Sequence, residues 1–258
     1  MRLTRTGFAV LLLGLLQAST GIAADTPTVL ITGANRGIGF ELARQYAERG
    51  WQVIATTRTP AEATALMAIA KQRANVTVEA LDVTDHAQID ALAAKYKGRP
   101  VDVLLNSAGI SGEGEVGAFG TLNYDVYAKV HAVNVIGPLK MAEAFLPNVA
   151  ASQQKKIISI TSTQGSITRS TGGGYFYRSS KAALNMVMHS LAIDLKPKGI
   201  TVGLVSPGFV KTDFTKGLDL PMMITAEQSA TAVIKVIDGY DLAKTGTFMR
   251  HTGEEAAW

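Results

Sequence analysis

The 258-residue sequence contains no cysteine, which excludes disulfide bonds, thiolate catalysis and cysteine-bound metal ions. Its four histidines are scattered and form no His-Glu-x-x-His pattern, so we expect no metal site. No serine occupies a Gly-x-Ser-x-Gly pattern, and a hydrolase would therefore lack an evident nucleophile. Charged residues make up only 18% of the chain and the net charge is +4, which indicates no nucleic-acid partner.

The apolar stretch at residues 8–16 is too short to span a bilayer. Arg2 and Arg5 precede it and small residues at 21–24 follow it, which is the arrangement of a secretory signal peptide. We therefore predict a signal peptide over residues 1–24 and a periplasmic or secreted protein with no further membrane contact. The alternative is a cytoplasmic enzyme behind an unrelated leader.

Residues 25–258 alternate short β-branched runs with longer amphipathic stretches. This pattern predicts one α/β domain with a single doubly wound parallel sheet of about seven strands and helices on both faces. The strands are expected at residues 29–32, 51–56, 76–81, 101–106, 156–160, 201–205 and 247–250. The helices are expected at residues 38–49, 61–72, 87–96, 124–150, 178–195 and 226–237. An irregular segment from Pro207 to Pro221 is the expected substrate lid.

The first predicted strand leads into a glycine-rich turn and then into a helix. Glycine lets the backbone approach a pyrophosphate closely, and the free N–H groups of the following helix favour its negative charge. The predicted dinucleotide-binding residues of the turn are Gly33, Asn35, Arg36, Gly37, Ile38 and Gly39. Taken alone, these glycines would also suit a tight structural turn.

Tyr177 and Lys181 are four residues apart, which places a phenol and an ammonium on one helix face. An ammonium favours the phenolate, so the pair suits proton transfer near neutral pH. Ser162 follows the strand at 156–160, where its hydroxyl can donate to a carbonyl oxygen, although turn chemistry would explain it equally. Asn134 lies in a predicted helix despite its poor helix propensity, and a tolerated surface asparagine is the alternative there.

The order and spacing of these blocks resemble one family, the short-chain dehydrogenases/reductases with a Thr-Gly-x-x-x-Gly-x-Gly turn. The resemblance covers residues 28–258 and includes Asp82 with Val83, the block at 106–109 and the block at 207–212. It implies a Rossmann-like fold and the reduction of a small aldehyde, ketone or quinone by hydride transfer from NAD(P)H. It also implies a homo-oligomer, either a dimer or a tetramer, that pairs through the helices predicted at 124–150 and 178–195.

The resemblance assigns roles to individual residues. Tyr177 would be the general acid/base, and Ser162 would orient the carbonyl. Lys181 would bind the nicotinamide ribose and lower the tyrosine pKa, and Asn134 would hold a water of the proton relay. The other cofactor-binding residues it implies are Asp82 and Val83 at the adenine, Asn106, Ala108 and Gly109 beside the adenosine, and Pro207, Gly208, Val210 and Thr212 around the carboxamide and phosphates.

Two features depart from the family pattern. Ser107 stands where a second asparagine is more usual, and the interval from Ser162 to Tyr177 is two residues longer than usual, with the extra length at 171–176. Together with the ending at 253–258, the longer interval makes the chain similar to the C-factor type of carbonyl reductase.

The second predicted strand is followed by Thr57 and Arg58 with no acidic residue. An acid there would bind the ribose 2′-hydroxyl of NAD and repel a 2′-phosphate. Arg58 and Arg36 can instead face the phosphate, so we predict a preference for NADP(H), with NAD(H) possible. The alternative is that both arginines are solvated surface charges.

The competing hypothesis is a non-catalytic or weakly catalytic dinucleotide-binding protein that serves as a sensor or a signal. Export favours it, because free NADPH is scarce outside the cytoplasm. The enzyme is favoured by the joint presence of Ser162, Tyr177 and Lys181, for which such a protein would have no chemical need.

Overall fold

The computed structural model describes residues 26–112 and 119–258, so the predicted signal peptide lies outside the described residues. Seven strands form one parallel sheet in the order β3-β2-β1-β4-β5-β6-β9. They are β1 (Thr28–Ile31), β2 (Gln52–Thr57), β3 (Val76–Ala80), β4 (Val103–Asn106), β5 (Lys156–Ile160), β6 (Thr201–Ser206) and β9 (Phe248–Arg250). Two short strands, β7 (Val210–Lys211) and β8 (Ile224–Thr225), form a separate parallel pair.

Helices cover both faces of the sheet, as the doubly wound prediction requires. They are α1 (Gly37–Glu48), α2 (Thr64–Gln72), α3 (His86–Lys95), α4 (Tyr124–His131), α5 (Gly137–Ala150), α6 (Tyr175–Leu195) and α7 (Ala226–Asp238). Side chains of α1, α2 and α7 share one hydrophobic core, and side chains of α3, α5 and α6 share the other. Within β1, Val29 and Ile31 belong to the first core and Leu30 to the second, because successive side chains of a strand point to opposite faces.

Three predicted elements differ in detail from the observed ones. The helix predicted at 124–150 is interrupted by a five-residue π-helical turn, Ala132–Ile136. The helix predicted at 61–72 begins as a 3₁₀ turn, Pro60–Glu62, before α2. The helix predicted to begin at Arg178 begins three residues earlier, after Gly174, which has a left-handed φ of +57°. Tyr177 and Lys181 therefore both lie inside α6.

The direction in which the chain adds strands to the sheet reverses between β1 and β4, which are neighbours. β2 and β3 follow one another outward from β1, and β5, β6 and β9 follow one another outward from β4 on the other side. In parallel sheets ligands bind outside the carboxyl ends of the strands at such a point. The expected lid contains more structure than predicted, since β7 pairs with β8 and a 3₁₀ turn, Asp213–Thr215, follows β7. Among the described residues, no helix is long and apolar enough to cross a membrane.

Candidate active site

A cleft of about 630 Å³ lies along the carboxyl ends of the strands. The loops that follow β1 to β6 contribute to its wall, together with α4 and α6. Every predicted site residue except Asn106 and Asn134 lines the cleft. The structure thus brings together predicted residues from the six loops that follow β1 to β6 and from α6.

The glycine turn after β1 forms a close-packed cradle at one side of the cleft. A Cβ atom at Gly39 would lie 2.3 Å from the carbonyl oxygen of Gly33, and a Cβ at Gly33 would lie 2.8 Å from Cα of Ala108. Gly33 and Gly37 also have left-handed φ values of +70° and +57°. The hydroxyl of Thr32 accepts hydrogen bonds from the backbone N–H groups of Ser107 and Ala108 at 3.0 and 3.1 Å, which ties the cradle to the loop after β4.

Lys181 is buried one helical turn after Tyr177, with 4% of its surface exposed. Its Nζ donates a hydrogen bond to the carbonyl oxygen of Ile160 at 2.9 Å and lies 5.7 Å from the centre of the Tyr177 ring. Burial lowers the pKa of Lys181 to about 8, because the charged form loses hydration. The ammonium therefore persists at neutral pH beside the phenol, as the spacing predicted.

Ser162 lies two residues after the end of β5 and directly before a 3₁₀ turn, Thr163–Gly165. Its Oγ accepts a hydrogen bond from the backbone N–H of Gln164 at 3.1 Å. A hydroxyl that accepts in this way retains its own hydrogen to donate. The turn chemistry considered from the sequence is thus present, and it leaves Ser162 able to bind a carbonyl oxygen.

The side chain of Asn134 is fully buried within the π-helical turn. Its Oδ1 accepts from the N–H of Ile110, and its Nδ2 donates to the carbonyl of Ile110 and to Oγ of Ser180, each at 2.9 Å. These three bonds hold the loop after β4 against α6. Asn134 is therefore not a surface asparagine, and its π turn is of a kind often found at functional sites. The water relay implied by the resemblance stays a prediction.

Asn106 lies beneath the cleft rather than in its wall. Its buried amide donates to Oγ of Ser159 at 3.3 Å and to the carbonyl of Pro138 at 3.5 Å. Asn106 therefore braces the junction of β4, β5 and α5 from beneath the cleft.

The end of the cleft beside β2 and β3 carries several charges. Burial would raise the pKa of Asp82, but hydrogen bonds from Thr84 and the charges of Arg58 and Lys129 outweigh it and lower the pKa. A hollow of about 360 Å³ continues from the cleft between Arg36, Arg58 and Glu62. This hollow begins where β2 ends, at the point where the sequence lacks an acid.

The lid extends from the part of the cleft that holds Tyr177 to the glycine turn. Phe214, in the 3₁₀ turn after β7, packs edge-on against the ring of Tyr177 with 5.3 Å between ring centres. Its neighbour Asp213 forms an exposed ion pair with Arg36 at 3.4 Å, which connects the lid to the glycine turn. The lid thus bridges the two functional parts of the cleft.

The two sequence features typical of the C-factor type are in contact with each other. The main-chain oxygen of Trp258 accepts hydrogen bonds from Oγ of Ser166 and Oγ1 of Thr168, both at 2.9 Å. The Trp258 ring packs against His189 and Phe248, with 5.2 and 5.7 Å between ring centres. The C-terminal segment therefore holds the start of the longer loop between Ser162 and Tyr177.

Lys129 and Ser180 are two residues of the site that were not predicted. Lys129 lines the cleft near Asp82, but the sequence gives no spacing that joins two elements so far apart. Ser180 binds Asn134 and also donates to the carbonyl of Tyr177 at 2.8 Å. Its position next to Lys181 was a signal that could have identified it. Among residues 26–112 and 119–258, no group of three or more His, Cys, Asp or Glu side chains could hold a metal ion.

Comparison with known proteins identifies the family of the chain. A family model described as short chain dehydrogenase matches residues 27–222. The 1-hydroxy-2-glutathionyl-2-methyl-3-butene dehydrogenase of Rhodococcus sp. (strain AD45) is 37% identical over 238 residues, which cover 90% of this chain and 99% of that protein. C-signal of Myxococcus xanthus is 39% identical over 169 residues, which cover 65% of this chain and 99% of that protein.

A solved structure, the NADPH-bound carbonyl reductase from chicken fatty liver, superposes on the chain with a TM-score of 0.84. The two sequences are 32% identical, and the superposition covers 90% of this chain and 99% of that one. These findings confirm the resemblance expected from the sequence, and the chain belongs to the short-chain dehydrogenase family.

Proposed function

We propose that the protein reduces small uncharged carbonyl compounds with NADPH, and that Tyr177 gives the proton. The observation that carries this proposal is the joint placement of Tyr177, Lys181 and Ser162 on a cleft that continues into the glycine cradle. The likeness to the NADPH-bound carbonyl reductase from chicken fatty liver supports it.

The cleft fits a dinucleotide. No Cβ fits at Gly39 or Gly33, where it would lie 2.3 Å from the Gly33 carbonyl oxygen or 2.8 Å from Cα of Ala108. Glycine therefore keeps the turn tight, so that its backbone and the start of α1 border the cleft where a pyrophosphate can approach. When bound, the reduced nicotinamide supplies the hydride. Lys181 and Tyr177 line the part of the cleft beside β5, where Lys181 would bind the ribose and hold positive charge near the phenol.

The side chains divide the work of the reaction. The Ser162 hydroxyl would donate to the substrate oxygen and orient the carbonyl. Tyr177 would then transfer its phenolic proton to that oxygen as negative charge develops there, and the Lys181 ammonium would stabilise the phenolate that remains. Asn134 would keep the loop after β4 in place against α6 through its bonds to Ile110 and Ser180.

The lining of the cleft supports an uncharged substrate. Phe214 packs on Tyr177, and the other lining residues of the lid include Phe209 and Leu218. The charges of Arg58 and Asp82 lie at the β2 and β3 end, away from the β5 end that carries the reaction. Aldehydes, ketones and quinones without a carboxylate therefore suit the site better than oxo acids.

The charges around the end of β2 support a preference for NADPH over NADH. No carboxylate ends β2, and Arg36 and Arg58 border the hollow beside it. Guanidinium groups bind phosphate through paired hydrogen bonds. The two opposing carboxylates, Glu62 on the same hollow and Asp213 paired with Arg36, are both exposed. NAD(H) would bind the same cleft without the contribution of the two arginines.

The experiment that tests the function follows NADPH consumption by protein lacking residues 1–24. Benzaldehyde and 4-carboxybenzaldehyde serve as a matched pair of substrates, and Tyr177→Phe as the variant. We expect turnover of benzaldehyde, several-fold slower turnover of its carboxylate, and a loss of about 100-fold or more in Tyr177→Phe. NADPH binding without turnover of any carbonyl compound would instead favour the sensor or signalling protein.

Two further expectations from the sequence are retained as proposals. We expect a homo-oligomer, because Ile136, Leu139, Met186 and Ile193 expose apolar side chains on α5, on the turn before it and on α6.

We also expect export and cleavage after residue 24, because of the charged and apolar leader. The mass of the protein recovered from a periplasmic extract tests cleavage, and the uncut mass in the cytoplasm would contradict export.

A further inference from the structure

The face of α6 that carries Tyr177 and Lys181 continues for one more turn to Asn185. The three residues are spaced four apart, so their side chains follow one another along the helix. Asn185 is only 3% exposed and lies outside the residues that line the cleft. Its amide is therefore held behind the groups that carry the proposed chemistry.

Thr161 joins Asn185 to the end of β5. The buried hydroxyl of Thr161 donates a hydrogen bond of 2.6 Å to Oδ1 of Asn185. The preceding residue, Ile160, accepts the bond from Lys181 at 2.9 Å, and the following residue is Ser162. Two successive hydrogen bonds thus tie β5 to α6 directly ahead of Ser162.

The turn after Ser162 packs against the same part of α6. A Cβ atom at Gly165 would lie 2.8 Å from the main-chain carbonyl carbon of Lys181 and 3.0 Å from the nitrogen of Ala182. Ser162 is therefore held between the two hydrogen bonds on one side and this close contact on the other. Small movements of α6 relative to β5 would change the position of its hydroxyl.

The Asn185 amide is retained at an energetic cost. Its Nδ2 is buried and has no hydrogen-bond partner within the described part of the chain. An unpaired buried N–H group destabilises a folded protein, and a leucine of similar size would avoid that cost. A benefit from the Oδ1 contact with Thr161 would explain why an amide stands there.

We propose that Asn185 is a positioning residue of the reaction, which fixes Ser162 relative to Tyr177 and Lys181 through the hydroxyl of Thr161. The inference rests on the proposed carbonyl reduction. A fraction of an ångström of displacement in a group that orients substrate slows turnover, whereas the glycine cradle for the cofactor lies across the cleft and is unaffected.

The test compares Thr161→Val, which keeps the shape of the side chain but removes its hydroxyl, with Thr161→Ser, which keeps the hydroxyl. We expect kcat to fall about tenfold in Thr161→Val and to stay within about twofold of the wild type in Thr161→Ser. The dissociation constant of NADPH should be unchanged in both. Asn185→Leu should match Thr161→Val, and the double variant should be no slower than either single one, because one contact is lost in each case.

Unchanged kcat in Thr161→Val and Asn185→Leu, with a lower melting temperature, would reduce the contact to a structural one and overturn the inference. Additive losses in the double variant would do the same. A wild type without turnover would contradict the proposed function alone. Crystal structures of the wild type and of Thr161→Val would then test the inference about Asn185.

We expect Ser162 Oγ to be displaced relative to Tyr177 in Thr161→Val. The same position of Ser162 Oγ in both structures would overturn the inference.

Discussion

The charged ammonium of Lys181 is buried, and burial of a charge destabilises the folded chain. Its pKa of about 8 in the folded chain lies below the ordinary value of 10.5, because burial removes hydration from the ammonium. Between these two pH values the unfolded chain binds more protons than the folded one, so stability rises with pH across that window. Below pH 8 both states are protonated and the full cost remains, on the order of 3 kcal/mol.

Lys181→Met should therefore stabilise the fold while it removes activity. We expect the free energy of unfolding at pH 7 to rise by about 1 to 3 kcal/mol, with part of the gain lost because the Ile160 carbonyl loses its donor. Urea unfolding at pH 7 and at pH 10.5 measures the change, and the advantage should shrink at the higher pH.

Measurements of kcat distinguish the role of Lys181 in the reaction from the general effect of replacing a buried lysine. Lys156 is a second buried lysine, and it does not line the cleft. Its Nζ donates a hydrogen bond of 2.9 Å to the carbonyl of Ile237. Lys156→Met should leave kcat unchanged, whereas Lys181→Met should lower it about 100-fold or more. A Lys181→Met protein that is less stable at pH 7 than the wild type would contradict the argument.

Arg58 provides the residue-scale test of cofactor preference. Arg58→Gln removes a charge from the hollow beside β2, so we expect NADPH to bind about tenfold more weakly while NADH binding stays the same. Fluorescence titration of both dinucleotides measures the two constants. Arg73→Gln is the control, since Arg73 is half-exposed and paired with Glu48 outside the cleft. Equal weakening of NADPH and NADH would argue against a phosphate site.

Sequence patterns predicted which residues lie close together within one helix, and they missed contacts between residues of two different elements. Tyr177 and Lys181 lie on one helix, so their spacing alone fixed their proximity. The contact of Thr161 with Asn185 joins a strand end to a helix 24 residues later, and no local pattern reports it. Lys129 was missed for the same reason, because only the fold brings it near Asp82.

Among the elements, the strands were predicted well and the interruptions were not. Buried β-branched runs identify the strands of a parallel sheet, and each predicted strand lies within two residues of an observed one. The π turn at Ala132–Ile136 holds Asn134 in contact with Ile110, which is 24 residues earlier, and no local pattern reports such a contact. β7 and β8 have two residues each, too few to show a period.

The turn between β1 and α1 offers a prediction at this scale. In Gly39→Ala the new methyl group would meet the carbonyl oxygen of Gly33 at 2.3 Å, so the turn must open and the cradle for the pyrophosphate is lost. We expect NADPH to bind at least about tenfold more weakly, measured by calorimetry. Gly239→Ala is the matched control, because its Cβ would come no closer than 3.6 Å to another atom. Tight NADPH binding by Gly39→Ala would show that the cradle is not the phosphate site.

For the whole molecule, the exposed face of α6 bears on assembly. Met186 and Ile193 are seven residues apart on one side of the helix, and they are 67% and 63% exposed. Light scattering on the wild type should give the mass of a dimer or a tetramer, and Ile193→Lys should shift it towards the monomer. A wild-type protein that is monomeric at micromolar concentration would contradict the proposed homo-oligomer.

The contact between the C-terminal segment and the loop before α6 depends on the number of residues between β9 and Trp258 more than on which amino acid stands at 258. Ser166 and Thr168 bind the main-chain oxygen of Trp258, an atom that every amino acid supplies. A substitution at 258 that preserves the packing on Phe248 would keep the contact. One inserted residue between β9 and Trp258 would instead put the accepting oxygen and the packed ring out of register with each other. Among relatives, insertions in the loop and in the C-terminal segment should therefore occur together.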